Sequence, residues 1–446
     1  MFVSYCVSFR QIFMAMCFLF LCCIEKETFS FPNGTSDSSL TLEVLRHFDI
    51  SEKQYNEALQ ENKFLLSHTV TKFSNNMFRT LSTDHKSRNK NIIISPFSIH
   101  LALSMLYYGA QKPSDTRSEI LNVLGPNVES EAFSKSAFYY LDLLQQYRRD
   151  NNKFDSQLSI ATKMFVQEGL VVKAMFLAIL KFYLTTSENV DFGKSQETAS
   201  RINRFVELKT NGLINEIISP DNIDSLTRLV LVNAIYFKAG WKYKFNEQFT
   251  RPMQFILLDN SAIDHMQGMR VNANLRIGTS RRLNANILEL PYSNPDYKMY
   301  ILIPRINSLR ALNRLAISFN MSEVESNLHM KNLELTMPAF QISFDIDLKQ
   351  VLRSMGITSM FDPENANFTE MSNDELFVKD VFHRAHINVN EKGSEAAATT
   401  TVIQGTRSLA QDVSEFRVNR PFIYIIYDIR NRIPLFVGRM LNPSIV

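Results

Sequence analysis

The sequence predicts an α+β protein without internal seams, and three observations carry that expectation. Apolar stretches of helical and of strand character are interleaved without a regular strand–helix–strand alternation, which favours mostly antiparallel strands over a doubly wound parallel sheet. Glycine (13) and proline (14) are both scarce in 446 residues, and neither a low-complexity linker nor a fixed-period repeat divides the chain. A hydrophobic content of 45%, with 34 Phe, can build one large core.

The first 24 residues read as an export signal. Arg10 precedes an apolar run from Ile12 to Ile24, after which Glu25 opens a polar stretch. That run is too short to span a bilayer as a helix, so cleavage between about Cys22 and Ser30 is expected, with a signal anchor as the alternative because Met1 to Phe9 is also apolar. The four cysteines, Cys6, Cys17, Cys22 and Cys23, all lie in this segment. Removal at its far end leaves a mature chain with no disulfide, which must rely on its core. Sequons at Asn33, Asn320 and Asn367 agree with a secreted, extracellular glycoprotein. Residues 31–61 form a polar extension. A net charge of +3 is too small to point to nucleic acid, and no membrane association is expected once the signal is removed.

Past the extension, local patterning justifies each element. Leu66, Val70, Phe73, Met77 and Leu81 recur at helical spacing. Ile92 to Ile94 reads as a short buried strand. Ser95 is then placed to cap a helix that starts at Pro96 and carries Ile99, Leu103, Leu106 and Ala110 on one face. Residues 128–147 read as helix, ending in the basic Arg148 and Arg149 with Lys153 close by. A solvated helix end is the plainer reading of that group, and of a second cluster at Arg270, Arg276, Arg281 and Arg282. Strands are expected over 299–303, 333–344, 386–389, 422–427 and 435–437, with a helix over 347–355.

One stretch resists assignment. From Ser394 to Ile403 every side chain except Glu395 is small or β-branched, which suits a strand. Yet Gly393 and Gly405 flank it and no alternation commits it to a half-buried face, so it reads as a loop. Arg407 is the only basic side chain between Gly393 and Glu415.

The run Asn390-Glu-Lys-Gly-Ser-Glu-Ala-Ala-Ala398 resembles the hinge of the serpin reactive-centre loop. Phe416-Arg-Val-Asn-Arg-Pro-Phe422 and Phe436-Val-Gly-Arg-Met-Leu-Asn-Pro443 resemble the serpin C-terminus. Similarity continues through Asn91 to His100, Leu231 to Lys238 with Trp241, and Val381 to Ala385; Asp191 and Phe205 depart from the usual Asn and Trp. It covers roughly Phe64 to Pro443, so a serpin domain is expected over 64–443 with its reactive-centre loop at about 391–415.

The resemblance implies a serpin fold of about nine helices around three β-sheets with an exposed reactive-centre loop. It implies that Ser95, Ser98 and His383 belong to a shutter beneath the opening of the main sheet, and that Trp241 stands at the breach where the loop enters. The hinge would comprise Glu391, Gly393, Ser394, Ala396, Ala397 and Ala398. In inhibitory serpins a protease attacks the loop, forms an acyl-enzyme, and is carried along as the cleaved loop enters the sheet, a well-known instance of strand addition. The family's scissile bond usually follows the seventeenth residue counted from the hinge glutamate, which from Glu391 is Arg407. A basic side chain fits the acidic specificity pocket of trypsin-like proteases. The implied partner is therefore a trypsin-like serine protease cleaving Arg407-Ser408, and the implied state is a monomer. In heparin-binding serpins basic residues cluster on a helix near Arg148, Arg149 and Lys153, so a sulfated polysaccharide is a candidate partner and a glycosaminoglycan a candidate activator, with no other cofactor expected. The alternative is a non-inhibitory serpin serving as carrier, storage protein or chaperone. Such members often place bulky or charged residues where Ser394 and the alanines stand here.

No catalytic signature competes. The eight histidines form no His-Glu-x-x-His pair, and no Cys-x-x-Cys, phosphate-binding glycine loop or nucleophile elbow is present. His383 and His386 would face opposite sides of a strand and cannot share a metal. The chain is read as an inhibitor and not an enzyme.

Overall fold

The computed structural model describes residues 52–151, 156–394 and 413–445. The expected export signal, Asn33, Lys153 and the loop residues Ala396, Ala397, Ala398, Arg407 and Ser408 lie outside the described residues. Among the described residues are nine α-helices: α1 (Glu52–Thr83), α2 (Pro96–Gly109), α3 (Asp115–Leu124), α4 (Ser130–Asp150), α5 (Ala174–Phe182), α6 (Ser195–Lys209), α7 (Leu309–Ser318), α8 (Met321–Ser326) and α9 (Lys349–Met355). None is long and apolar enough to cross a membrane. The chain divides into two compact units. The smaller holds residues 52–66 and 129–143, the opening parts of α1 and α4, and the larger holds every strand.

Six strands form the first sheet: β2 (Ser156–Gln167), β3 (Ser187–Val190), β4 (Leu229–Gly240), β10 (Phe340–Asp347), β11 (Asp380–Asn390) and β12 (Gly393–Ser394), in the order β10-β11-β12-β4-β2-β3. Its centre is a parallel pairing of β11 with β4, running from Asp380↔Val230 to His386↔Tyr236. Parallel strands buried on both faces read as continuous apolar runs. β4 obeys this, with all but one of its residues buried. The interruption is polar, Asn233, fully buried in the middle of the run.

The second array joins β1 (Ile92–Ile94), β5 (Arg251–Ile256), β6 (Ala262–Ser280), β7 (Ala285–Pro291), β8 (Tyr297–Pro304), β9 (Leu328–Pro338), β13 (Ser414–Arg417), β14 (Phe422–Asp428) and β15 (Ile433–Met440). The expected second and third sheets are the two ends of this array, because the 19-residue β6 belongs to both. It pairs with β5 over 262–268 and with β7 over 276–280, while β9 lies along its middle.

α6 covers the first sheet on the side of the β4–β11 seam. Its Ala199, Ile202 and Val206 join Phe165, Val230, Val232, Ala234 and Phe382 in one buried cluster. The C-terminal motif anchors β15: the guanidinium of Arg439, fully buried, donates to the carbonyls of Ser87, Arg88 and Lys90 at 2.9, 2.8 and 3.1 Å and to Asn313 Oδ1 at 2.5 Å. Three backbone acceptors and an amide serve its two terminal nitrogens, while its buried Nε has no partner among the described residues.

Candidate functional site at the mouth of the first sheet

Where the parallel pairing of β4 and β11 ends, the chain turns back at Glu391-Lys392 and inserts β12 between them. Ser394 pairs with Val389 on one side and Ala239 on the other; Gly393 pairs with Asn390 and Gly240. The seam between β4 and β11 is thus already parted at its top by two residues of the expected hinge. Glycine is required at the first of them. Gly393 has φ +149°, and a Cβ there would lie 2.1 Å from the Ala239 carbonyl oxygen.

Ser394 is fully buried, and its Oγ lies 2.9 Å from the hydroxyl of Tyr292. Burial holds that phenol well above its ordinary pKa, so it stays protonated and able to donate. Tyr292 stacks on Trp241, with centroids 4.6 Å apart and planes at 10°. Trp241 closes the circuit: its Nε1 donates to the Asn390 carbonyl at 2.9 Å and its backbone N–H to the Lys392 carbonyl at 3.1 Å. The turn itself is held by Thr250, whose hydroxyl donates to Glu391 Oε1 at 2.6 Å, and by the Lys392–Glu247 ion pair at 3.4 Å.

Further down the seam a second group of buried polar atoms crosses it. Ser95 caps α2, its Oγ accepting from the Ser98 N–H at 3.3 Å, with Pro96 at the first helical position. Ser98 Oγ donates to Asn233 Oδ1 at 2.7 Å, and the Asn233 amide donates to Thr162 Oγ1 at 2.7 Å and the Ser98 carbonyl at 3.2 Å. On β11, His383 lies 2.8 Å from Asn233 Oδ1 through Nδ1, and its Nε2 accepts from the Ser95 N–H at 3.2 Å. A backbone N–H can only donate, so Nε2 is bare and Nδ1 carries the proton. Burial pushes the imidazole pKa down to about 3, which keeps it neutral. β2, β4, β11 and α2 therefore meet at one hydrogen-bonded knot. His386, three residues on, faces the opposite side and meets Ser343 Oγ at 2.8 Å.

Sequence reasoning singles out Ser95, Ser98, His383, Trp241, Glu391, Gly393 and Ser394, and the structure places the first three in the knot and the other four at the mouth. It does not single out Asn233, Thr162, Tyr292 or Thr250. A lone asparagine inside Leu-Val-Asn-Ala-Ile is the available signal for the first; the others are ordinary until the strands pair. The remaining candidates lie elsewhere. Arg148 and Arg149 are exposed at the end of α4. Asn320 is exposed and caps α8, accepting from the Ser322 N–H at 2.9 Å, whereas the Asn367 amide nitrogen is tied to Gln111 Oε1 at 2.6 Å.

Comparison with known proteins agrees with this architecture. Residues 68–443 match the family model described as serpin (serine protease inhibitor). Mouse neuroserpin is 33% identical over 384 residues, covering 84% of this chain and 91% of the relative. Human serpin B3 is 34% identical over 396 residues, covering 85% and 99%. Among solved structures, human thyroxine-binding globulin complexed with thyroxine superposes with a TM-score of 0.77 at 27% identity, over 86% of this chain and 99% of that one. Native protease nexin-1 with heparin does so with a TM-score of 0.73 at 27% identity, over 84% and 100%. With the family model spanning most of the chain, and Gly393 and Ser394 paired into the seam of a sheet whose strands share a buried polar knot, this chain belongs to the serpin family.

Proposed function

We propose that the chain is a secreted inhibitor of trypsin-like serine proteases that works as a suicide substrate. A protease takes Arg407 into its specificity pocket and attacks the Arg407-Ser408 bond. Ser408 is released as a free amine on a segment that stays in the fold through β13, β14 and β15, and the loop from Glu395 onward follows Gly393 and Ser394 into the seam with the protease still esterified to Arg407. The observation that supports this reading most is the docked hinge. Gly393 and Ser394 already occupy the first two positions of an inserted strand, with Ser394 fully buried, so every later small side chain has a path prepared for it. Along a strand inward positions alternate, which continues the buried set as Ala396, Ala398, Thr400, Val402 and Gln404, all but the last small or β-branched.

A carrier role, the second reading, draws on the likeness to thyroxine-binding globulin. The small hinge residues favour inhibition over it. Exposed Arg148 and Arg149, with Lys153, are the proposed contact for a sulfated polysaccharide, in line with the heparin complex of protease nexin-1. Asn320 is the better glycosylation acceptor of the two described sequons.

The test is incubation of the purified mature chain with a panel of arginine-specific serine proteases. A complex that survives SDS, lost in Arg407→Ala, is expected. Clean turnover of the loop without a complex would reduce the protein to a substrate or carrier.

A further inference from the structure

The second array has an edge that is only partly used. On one side β9 is paired with β6 along its whole length, from Gly278↔Leu328 to Gly268↔Pro338. On the other side β13 pairs with it in parallel from Leu333 to Thr336 and no further. Among the described residues no strand takes up the outer edge from Leu328 to Asn332. His329, Met330 and Lys331 are exposed there, Met330 by 60%, and Lys331 makes no ion pair or hydrogen bond among the described residues. A row of unpaired backbone donors and acceptors is a template for a further strand.

The chain itself supplies a matching strand. Residues 408–412, outside the described residues, join directly onto Val413, and β13 begins at Ser414. In the uncut protein Val413 is already off the edge, unpaired and 48% exposed. An uncut loop ties Val413 back to Ser394 at the mouth of the first sheet, and a cut at Arg407-Ser408 removes that tie. Continuing the parallel register of β13 then sets Val413 beside Asn332, Asp412 beside Lys331, Gln411 beside Met330, Ala410 beside His329 and Leu409 beside Leu328. Residues side by side on neighbouring strands share a face. Asp412 thereby meets an unpaired lysine, Ala410 leaves room for His329, and Leu409 and Val413 flank the exposed Met330 diagonally. Two copies of the chain meeting antiparallel about Met330 would instead set the Lys331 of one beside the His329 of the other, with no acid to pair either.

We propose that, once Arg407-Ser408 is cut, residues 408–412 add to β9 as an extension of β13 and so withdraw the new amine from the acyl-enzyme. The role rests on the inhibitor reading, whereas the pairing needs only the cut. In acylation the protease serine oxygen bonds to the Arg407 carbonyl carbon, the bond from that carbon to the Ser408 nitrogen breaks, and the catalytic imidazolium gives its proton to the departing nitrogen. The step runs backward as readily when the amine stays close: it attacks the ester, restores the peptide bond and frees the protease. Strand pairing from Ser414 back to Ser408, at about 3.3 Å per residue, draws the amine roughly 20 Å along β9. The ester is then left to travel with the inserting loop.

The test is hydrogen–deuterium exchange of the full mature chain, intact and after limited cleavage by an arginine-specific protease, read by mass spectrometry over Leu328 to Asn332. Terminal sequencing from Ser408 identifies the cut. Exchange in this stretch should slow about tenfold or more on cleavage. Lys331→Glu should remove most of that protection, and Lys331→Glu combined with Asp412→Lys should restore it, which a general stiffening of the nicked chain would not do. Exchange within twofold of the intact chain, or protection that Lys331→Glu leaves in place, would overturn the pairing. Protection without any SDS-stable complex would overturn the inhibitor reading and the role of the amine, and leave the strand pairing standing.

Discussion

At His383 the ring can hold its two partners in only one protonation state. Nε2 accepts from the Ser95 N–H and Nδ1 donates to Asn233, so a second proton would turn an acceptor into a donor facing a donor. Its folded pKa lies near 3 against about 6.5 in the unfolded chain, and burial is the cause. The unfolded state therefore binds the extra proton first. The stability this group contributes is fully present above about pH 6.5 and is lost progressively as pH falls toward 3. His100 behaves alike, whereas Asp380, raised to about 6 by burial, acts with the opposite sign between about pH 6 and 4. A comparison with His383→Gln separates the contributions: the stability advantage of wild type, from urea unfolding, should shrink between pH 7 and 4.5. An advantage independent of pH would contradict the neutral assignment. Asn233 carries more of the same knot. Asn233→Ala strands the His383 Nδ1–H and the Thr162 hydroxyl, leaves the Ser98 hydroxyl only the Ser95 carbonyl at 3.3 Å, and should cost roughly 2 to 4 kcal/mol in urea unfolding at pH 7.5.

For single elements, legibility tracks sequence distance. Ser95 before Pro96 announces the start of α2, and the helical spacing of Val70, Phe73, Met77 and Leu81 announces a face of α1 that is fully buried. These signals sit within a turn or two of what they describe. The site is harder to read, because its contacts join Ser98 to Asn233 across 135 residues and Tyr292 to Ser394 across 102, and no local pattern records which polar side chains will meet. The hinge shows the limit most plainly: Gly393 and Ser394 read as the start of a loop, yet they form β12, because the vacant edges of β4 and β11 supply hydrogen-bond partners that the segment itself does not specify. Trp241, the only tryptophan in the chain, reports on that element directly. Gly393→Val drives a side chain into the Ala239 carbonyl and should expel β12 from the seam, freeing Trp241 from the Asn390 and Lys392 carbonyls. A red shift of tryptophan emission is expected. Emission identical to wild type would mean that the hinge tolerates the clash and that β12 is not held where it is by close packing.

For the molecule as a whole, the question is whether the first sheet gains by admitting the rest of the loop. Thirteen residues, Glu395 to Arg407, remain to be inserted behind the two already in place. A strand with neighbours on both sides makes about two backbone hydrogen bonds per residue, and with β4 and β11 offering about ten residues each below β12, insertion forms roughly 20. It gives up about seven, those of the parallel pairs from Asp380↔Val230 to His386↔Tyr236. At about 0.5 to 1 kcal/mol net for each of the surplus bonds, the gain is on the order of 10 kcal/mol. On the proposed inhibitor reading, the same seam would also hold the uncleaved chain back. The His383–Asn233 bond crosses it, the cluster of Ile202, Val206 and Phe382 packs over it, and an intact loop is tethered at both ends by β12 and β13. Cutting the loop removes only the last restraint, and the remaining two are small against the gain. Limited proteolysis after Arg407, followed by thermal unfolding of the nicked chain, should raise the unfolding temperature by about 10 °C or more, since a gain on the order of 10 kcal/mol moves a domain of this size by roughly 1 °C per kcal/mol. A nicked chain that melts with the intact one would mean that the seam does not open, and that Gly393 and Ser394 mark the furthest point the loop reaches.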